Sequence, residues 1–290
     1  MFDSRLNEAQ TSSTLNLASP LAPADAPVTS LHDWLMEFVY FTAKEAFACV
    51  FAGSFFLAVL LLPRGGLVGI PRYDLLLIFA LVIQAGMVWT GLETKDELKA
   101  ISLFHVLGFG LELFKTSSGI QSWSYPDFAY SKILGVPLFS GFMYAAVGSY
   151  IIQAWRLFDL KIVHHPPYWM AGAVAIAIYA NFFTHHFIGD YRWSLGACAL
   201  GLYARSMVTF RPYRKELKMP LVLSLVLIGF FIWLAENFAT FFGLWAYPHQ
   251  LEAWAAVHVT KWSAWSLLVL MSFTIVANLK HIKSRIHVPE

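Results

Sequence analysis

The sequence predicts an all-α polytopic membrane protein of about eight transmembrane helices in two parallel-repeat halves. Three observations carry that prediction. The first is composition: of 290 residues, 58% are hydrophobic and only 13% charged, with a mean hydropathy of +0.59. Soluble domains run to roughly 45–50% apolar and about 25% charged residues. The second is a series of eight apolar segments, each near the roughly 20 residues that a span requires. The third is a motif that occurs twice. Glu112, Thr116, Gly119 and Trp123-Ser-Tyr125-Pro126 recur as Glu236, Thr240, Gly243 and Trp245-Ala-Tyr247-Pro248, with two extra residues before the first Trp. Phe114 over Phe238 and Phe109 over Trp233 extend the match inward.

The segments follow in order: 38–62, 73–92, 100–118, 137–155, 168–187, 191–209, 219–241 and 258–279. Residues 1–30 are rich in Ser, Thr, Ala and Pro and have no basic region leading into an apolar one, so they read as a disordered cytosolic tail. The transmembrane domain is then 31–290, with halves about 31–160 and 161–290. Asp33, Glu37 and Lys44 form a polar stripe that makes the start of the first segment an amphipathic helix in the interface. The third segment is bracketed by Lys99 and Lys115, whose amines are expected to reach toward the two interfaces. Gly196 and Gly201 in the sixth are expected to allow close helix packing. Cys49 and Cys198 lie in apolar runs and read as small core residues.

Charge sets the orientation. The termini and loops 2–3, 4–5 and 6–7 carry 13 of the 20 Lys and Arg residues, five of them in loop 6–7. The opposite side carries four: Arg64, Arg72, Lys132 and Arg192. The positive-inside rule places both termini in the cytoplasm and both Trp-x-Tyr-Pro loops outside. Glu112 and Glu236 are 124 residues apart, a distance of four crossings, so the two copies share one orientation. The net charge of +2 gives no reason to expect a nucleic-acid partner. The expected partners are the lipid bilayer and a hydrophobic small-molecule substrate.

Ionisable residues inside spans are expensive and mark function by default. Glu112 and Glu236 lie roughly 9–11 Å inside the helix end at 1.5 Å per residue. Thr116 and Thr240 follow four residues on, on the same helix faces. Acid–base catalysis is the expected role of these four residues, in a pocket walled by Trp123, Tyr125, Trp245 and Tyr247. Aromatic faces there would stabilise a developing cation. The same acids suit a proton-coupled transporter. A third reading is purely structural: belt aromatics and a helix-bridging Glu-Thr pair.

His185, His258 and Lys261 are further expected substrate contacts. Lys261 is also a candidate counter-ion for Glu236, and Lys115 for Glu112. His185, His186 and Asp190 lack the His-x-x-x-His spacing of a helical metal site, so no metal is assigned. No cofactor is expected either. The chain has no Walker loop, Gly-x-Gly-x-x-Gly, nucleophile elbow or Cys-x-x-Cys.

The run from Leu111 to Leu138, the second motif and the Lys-Trp-Ser-Ala-Trp around Trp262 resemble an uncharacterised bacterial integral-membrane family, catalogued as a domain of unknown function. A shorter stretch is similar to the membrane hydratases of carotenoid biosynthesis. It comprises Glu112, Lys115, Thr116, Gly119, Trp123, Tyr125 and Gly135-Val136-Pro137-Leu138. That resemblance implies an isoprenoid substrate held in the lipid phase.

Overall fold

The computed structural model describes residues 30–286, the last five by backbone alone. The expected 1–30 tail lies, but for Ser30, outside the described residues. Ser30 and Asp33 form a capping box that starts α1 (Leu31–Ala48). α1 breaks at Cys49 and continues as α2 (Val50–Leu61) after a bend of 71°. Then come α3 (Arg72–Trp89) and α4 (Lys95–Thr116), the latter started by a Thr94–Glu97 capping box. A short hairpin of β1 (Lys132–Ile133) and β2 (Val136–Pro137) leads to α5 (Ser140–Leu157). β3 (Lys161–Val163), α6 (Tyr168–Thr184), α7 (Arg192–Tyr203), β4 (Met207–Phe210) and β5 (Leu217–Pro220) follow. α8 (Leu221–Phe241) and α9 (Lys261–Ile286) close the chain. β3, β4 and β5 make one antiparallel sheet at the C-terminal end of α5 and the N-terminal end of α8. The two motif loops lie at the opposite end of these helices.

Among the described residues three helices are long and apolar enough to cross a membrane: α3, α8 and Lys261–His281 of α9. The bent α1–α2 pair makes a fourth if it counts as one span, and α6 is apolar but shorter. Each of the eight expected segments coincides with helix, yet not every helix has the character of a span. α7 stops after 12 residues, about 18 Å of helix. The sixth segment ends instead in β4, where Val208 and Thr209 pair with β3 and β5. α4 is too charged, with Lys95, Asp96, Glu97 and Lys99 in its first turns.

α5 differs for another reason. It is packed against α1, α2, α4 and α9, and it buries Ser140, Ser149 and Gln153. A helix enclosed by other helices needs no lipid-compatible outer face. α8 is the reverse case, with only 22% of its apolar window covered by protein. Many large apolar side chains are exposed on the outer faces of α2, α3, α6 and α8, Leu61, Val82, Ile176 and Phe231 among them.

Two expectations about small residues are corrected. A Cβ on Gly196 or Gly201 would meet nothing within 4 Å, so neither marks a close helix contact. Cys198 is exposed on α7, and Cys49 sits half-buried at the α1–α2 elbow.

The polar stripe of α1 is a docking device. Glu37, only 3% exposed, accepts hydrogen bonds from the backbone N–H groups of Tyr213, Arg214 and Lys215 at 2.9–3.1 Å. Lys44 donates to the Arg211 carbonyl at 2.8 Å, and Tyr40 stacks on Tyr213. The basic β4–β5 loop is thus tied to α1, with the Glu37 carboxylate making three of the hydrogen bonds. Glu37→Ala should destabilise the protein by about 2–3 kcal/mol, because hydrogen bonds to a charged acceptor are lost and buried amides are left unpaired. It should also speed tryptic cleavage after Arg214 and Lys215. An unchanged cleavage rate would show that the loop is held by something else.

Candidate functional site: two buried carboxyls on one apolar cavity

Glu112 lies in the last turns of α4, and Glu236 in those of α8. In both copies the chain leaves the helix and folds back, so that the motif tyrosine reaches its own glutamate. Tyr125 Oη donates to Glu112 Oε2 at 2.8 Å, and Tyr247 Oη donates to Glu236 Oε1 at 2.5 Å. The reversal differs in detail. Gly243 takes the left-handed conformation (φ +71°) just past α8. In the first copy Gly119 does not, and Gln121 (φ +47°), in the longer loop, takes that role.

The two loops also pair with each other. Ser124 N–H donates to the Ala246 carbonyl at 2.9 Å, and Ala246 N–H donates to the Ser124 carbonyl at 3.0 Å. These are the middle residues of the two Trp-x-Tyr-Pro runs. Ring contacts run both ways across the bridge: Trp123 meets Tyr247 at 6.0 Å, and Tyr125 meets Trp245 at 6.5 Å. An antiparallel bridge between corresponding residues, with reciprocal ring contacts, has the form of a local two-fold.

Both carboxyls are buried, at 2% and 4% exposure. Glu112 accepts two further bonds, from Trp123 Nε1 at 2.7 Å and from Tyr144 Oη at 2.8 Å. Glu236 accepts one more, from Trp265 Nε1 at 2.8 Å. Burial, then the adjacent glutamate, holds the Tyr125 and Tyr247 phenols well above their ordinary range, so both are protonated donors at neutral pH. Tyr144 on α5 and Trp265 on α9 come from the helix packed against each acidic helix. Close approach needs glycine in both places. A Cβ on Gly108 would lie 2.3 Å from Tyr144 Cγ, and one on Gly229 would lie 2.5 Å from Ser266 Oγ, beside Trp265.

Glu112 and Glu236 line a single cavity of about 1000 Å³. Trp123, Trp245, Tyr247, His185 and Lys261 line it too, and most of its remaining wall is apolar. Lys261 Nζ sits over the Tyr247 ring at 4.7 Å and the Trp123 ring at 5.3 Å. It is within electrostatic reach of both carboxyls, but among the described residues it forms no ion pair with either. Lys115 is not the partner of Glu112, and its amine does not reach toward an interface. It is buried, with Nζ 2.7 Å from His186 Nε2 and 3.2 Å from His185 Nε2. The adjacent histidines can converge because α6 ends at Thr184, before them. Asp190 is taken up by Asn181 and Arg192. Among the described residues no group of three metal-ligating side chains converges.

Other expected residues stand outside the cavity. Thr116 Oγ1 donates to the Glu112 carbonyl and Thr240 Oγ1 to the Asn237 carbonyl, so both hydroxyls close helix ends. Tyr125 reaches Glu112 from behind the wall. His258 is exposed, with its ring against Thr260.

Tyr144, Trp265, Arg192 and Glu45 are among the cavity residues that were not anticipated. Trp265 was signalled, because it is one turn after Lys261 on the same face. Tyr144 had no signal beyond Gly108, whose partner only the fold identifies. Glu45 accepts from Tyr150 Oη at 3.0 Å toward the sheet end of the cavity. Gly108→Ala should over-pack the Tyr144 contact and cost about 1–3 kcal/mol. Thermal unfolding should show this loss shrinking when Tyr144→Ala is added, because the clash is gone. Additive losses would mean that the two residues do not touch.

Comparison with known proteins adds family but no activity. The chain is 49% identical to the uncharacterized protein YoaT of Bacillus subtilis (strain 168) over 251 residues, covering 87% of this chain and 94% of that protein. No solved structure matches. Residues 37–273 match the family described as "Protein of unknown function (DUF817)", and the chain belongs to that family.

Proposed function

We propose that the protein is an integral membrane enzyme that performs acid–base chemistry on a hydrophobic substrate. One observation carries this reading: two buried carboxyls, each fixed by phenol and indole donors, open onto one largely apolar cavity. A fixed carboxyl in an apolar cavity is a general acid or base for a substrate with no strong polar handle. The donor sets divide the roles. Glu112 accepts three bonds of the roughly four that a carboxylate can take. Glu236 accepts two, so it has the capacity to hold and pass a proton, with Glu112 as partner base. Trp123, Trp265 and Tyr247 present aromatic surface to a cation formed on the substrate. An isoprenoid, hydrated, isomerised or cyclised through such a cation, is the substrate class that this chemistry suits.

In this reading the protein spans the bacterial inner membrane eight times, in halves of about 31–160 and 161–290. The bent α1–α2 pair and α3–α5 make the first half, and α6–α9 the second. Both termini are then cytoplasmic and the motif loops outside, a placement that the 13-to-4 distribution of Lys and Arg supports.

Incubating protein-containing membranes with a lipid extract in D2O tests the chemistry without naming the substrate. Mass spectrometry should find a lipid that gains deuterium at carbon, or gains water. Glu236→Gln should lower that conversion by about 10²–10⁴-fold. No labelled product, or full activity in Glu236→Gln, would contradict the reading. In a carotenoid-producing host, unchanged pigments would remove acyclic carotenoids from the substrate class.

A second reading, a proton-coupled transporter, is favoured by Glu45. The cavity has a carboxyl toward the sheet end as well as two at the motif end. Uptake into proteoliposomes that requires a proton gradient and is lost in Glu45→Gln would support it over the enzyme.

A further inference from the structure

Lys261 has no part in the acid–base roles above, yet its amine lies at the polar end of the cavity. It is the first residue of α9, so an ammonium there faces the positive end of the helix dipole. Its surroundings are the ring faces of Tyr247 and Trp123, with Glu112 and Glu236 in electrostatic reach. Lysine is the side chain whose amine serves as nucleophile in apolar sites, toward carbonyl carbons in particular. The cavity's other lysine, Lys115, is committed to two imidazole nitrogens. Between Lys261 and Glu45 at the sheet end the wall is largely apolar, with Phe142, Val147, Leu225, Ile228 and Phe231 along α5 and α8.

We propose that Lys261 is a covalent attachment site for a long apolar aldehyde, held as an imine with Glu112 and Glu236 as proton relay and counter-charge. The proposal rests on the reading that this cavity admits a hydrophobic molecule. The ammonium first gives a proton to a neighbouring carboxylate. The nitrogen lone pair attacks the aldehyde carbon, the carbonyl π pair moves to oxygen, and a proton passes from nitrogen to that oxygen to give a carbinolamine. The carboxylic acid then protonates the hydroxyl. Water leaves as the nitrogen lone pair forms the C=N bond. The balance is aldehyde plus ammonium to protonated imine plus water, with no oxidant or reductant. The imine's positive charge occupies the place where the ammonium stood, over the same two rings and near the same two carboxyls.

The test uses the full chain, purified in detergent, with all-trans-retinal and hexadecanal as probes. Borohydride reduction, digestion and peptide mapping should find the adduct at Lys261 in the wild type, a result that needs no variant. With retinal, a red-shifted absorbance band should appear before reduction. Lys261→Arg should lose both signals, and Lys115→Arg should keep them. No adduct from either probe, an adduct at Lys115 or on loop lysines instead, or an undiminished adduct in Lys261→Arg would overturn the proposal. The adduct reads the amine and the D2O assay reads the carboxyls. An adduct without deuterium transfer leaves the aldehyde site standing and removes the acid–base enzyme; deuterium transfer without an adduct does the reverse.

Discussion

Two carboxyl groups are buried at the motif end of the bundle, and the chain around them is arranged to bring hydrogen-bond donors to each. Burying an ionised carboxyl costs several kcal/mol. Each bond from a phenol or indole to a charged acceptor offsets about 1.5–3 kcal/mol of that cost. Glu112, with three donors, is held on a scale comparable to the cost; Glu236, with two, is held less fully. The requirement explains much of the local architecture. Each loop must fold back to bring its tyrosine home. Each acidic helix must lie close enough to its neighbour for Tyr144 or Trp265 to reach, and Gly108 and Gly229 permit that approach. The Ser124–Ala246 bridge then joins the two loops, so neither glutamate environment is built independently of the other.

A second constraint sorts the helices by what surrounds them. α8 is apolar on nearly every face and mostly uncovered by protein. α5 is nearly all covered and carries the polar groups that the interior needs, Tyr144 toward the motif end and Tyr150 toward Glu45. The cavity lies where these two kinds of helix meet, so its walls are apolar while its polar groups sit at the two ends. A molecule with a long apolar body suits such a space better than a compact polar one.

The sequence was most legible where a residue's role depends on its own neighbours. Apolar runs located the helices, and the repeated motif located Glu112, Glu236, Trp123 and Tyr247 on one cavity. It was least legible where the role depends on a distant partner. Lys115 sits three residues from Glu112, yet its amine turns to His185 and His186, some 70 residues away in sequence. The threonines share a face with the glutamates, but a hydroxyl near a helix end finds a backbone carbonyl first. The 191–209 segment is apolar throughout much of its length, and nothing local shows that Val208 and Thr209 belong to a sheet whose other strands lie on both sides in sequence. Trp245 occupies the motif position of Trp123, but the indole bonded to Glu236 is that of Trp265. The repeat therefore points to the site, while the indole donor to Glu236 comes from outside the repeated motif.

The central claim is that the two motif loops meet and so bring both carboxyls to one cavity. Residues that exchange both backbone hydrogen bonds in an antiparallel pair stand about 5.5 Å apart at Cα, within the span that a disulfide bridges. With Cys49 and Cys198 replaced by Ala, the double variant Ser124→Cys, Ala246→Cys should therefore form an intramolecular disulfide on mild oxidation, seen as one joined peptide pair by mass spectrometry. Thiols that stay open to alkylation in the folded protein would mean that the loops lie apart, and the shared cavity would go with them.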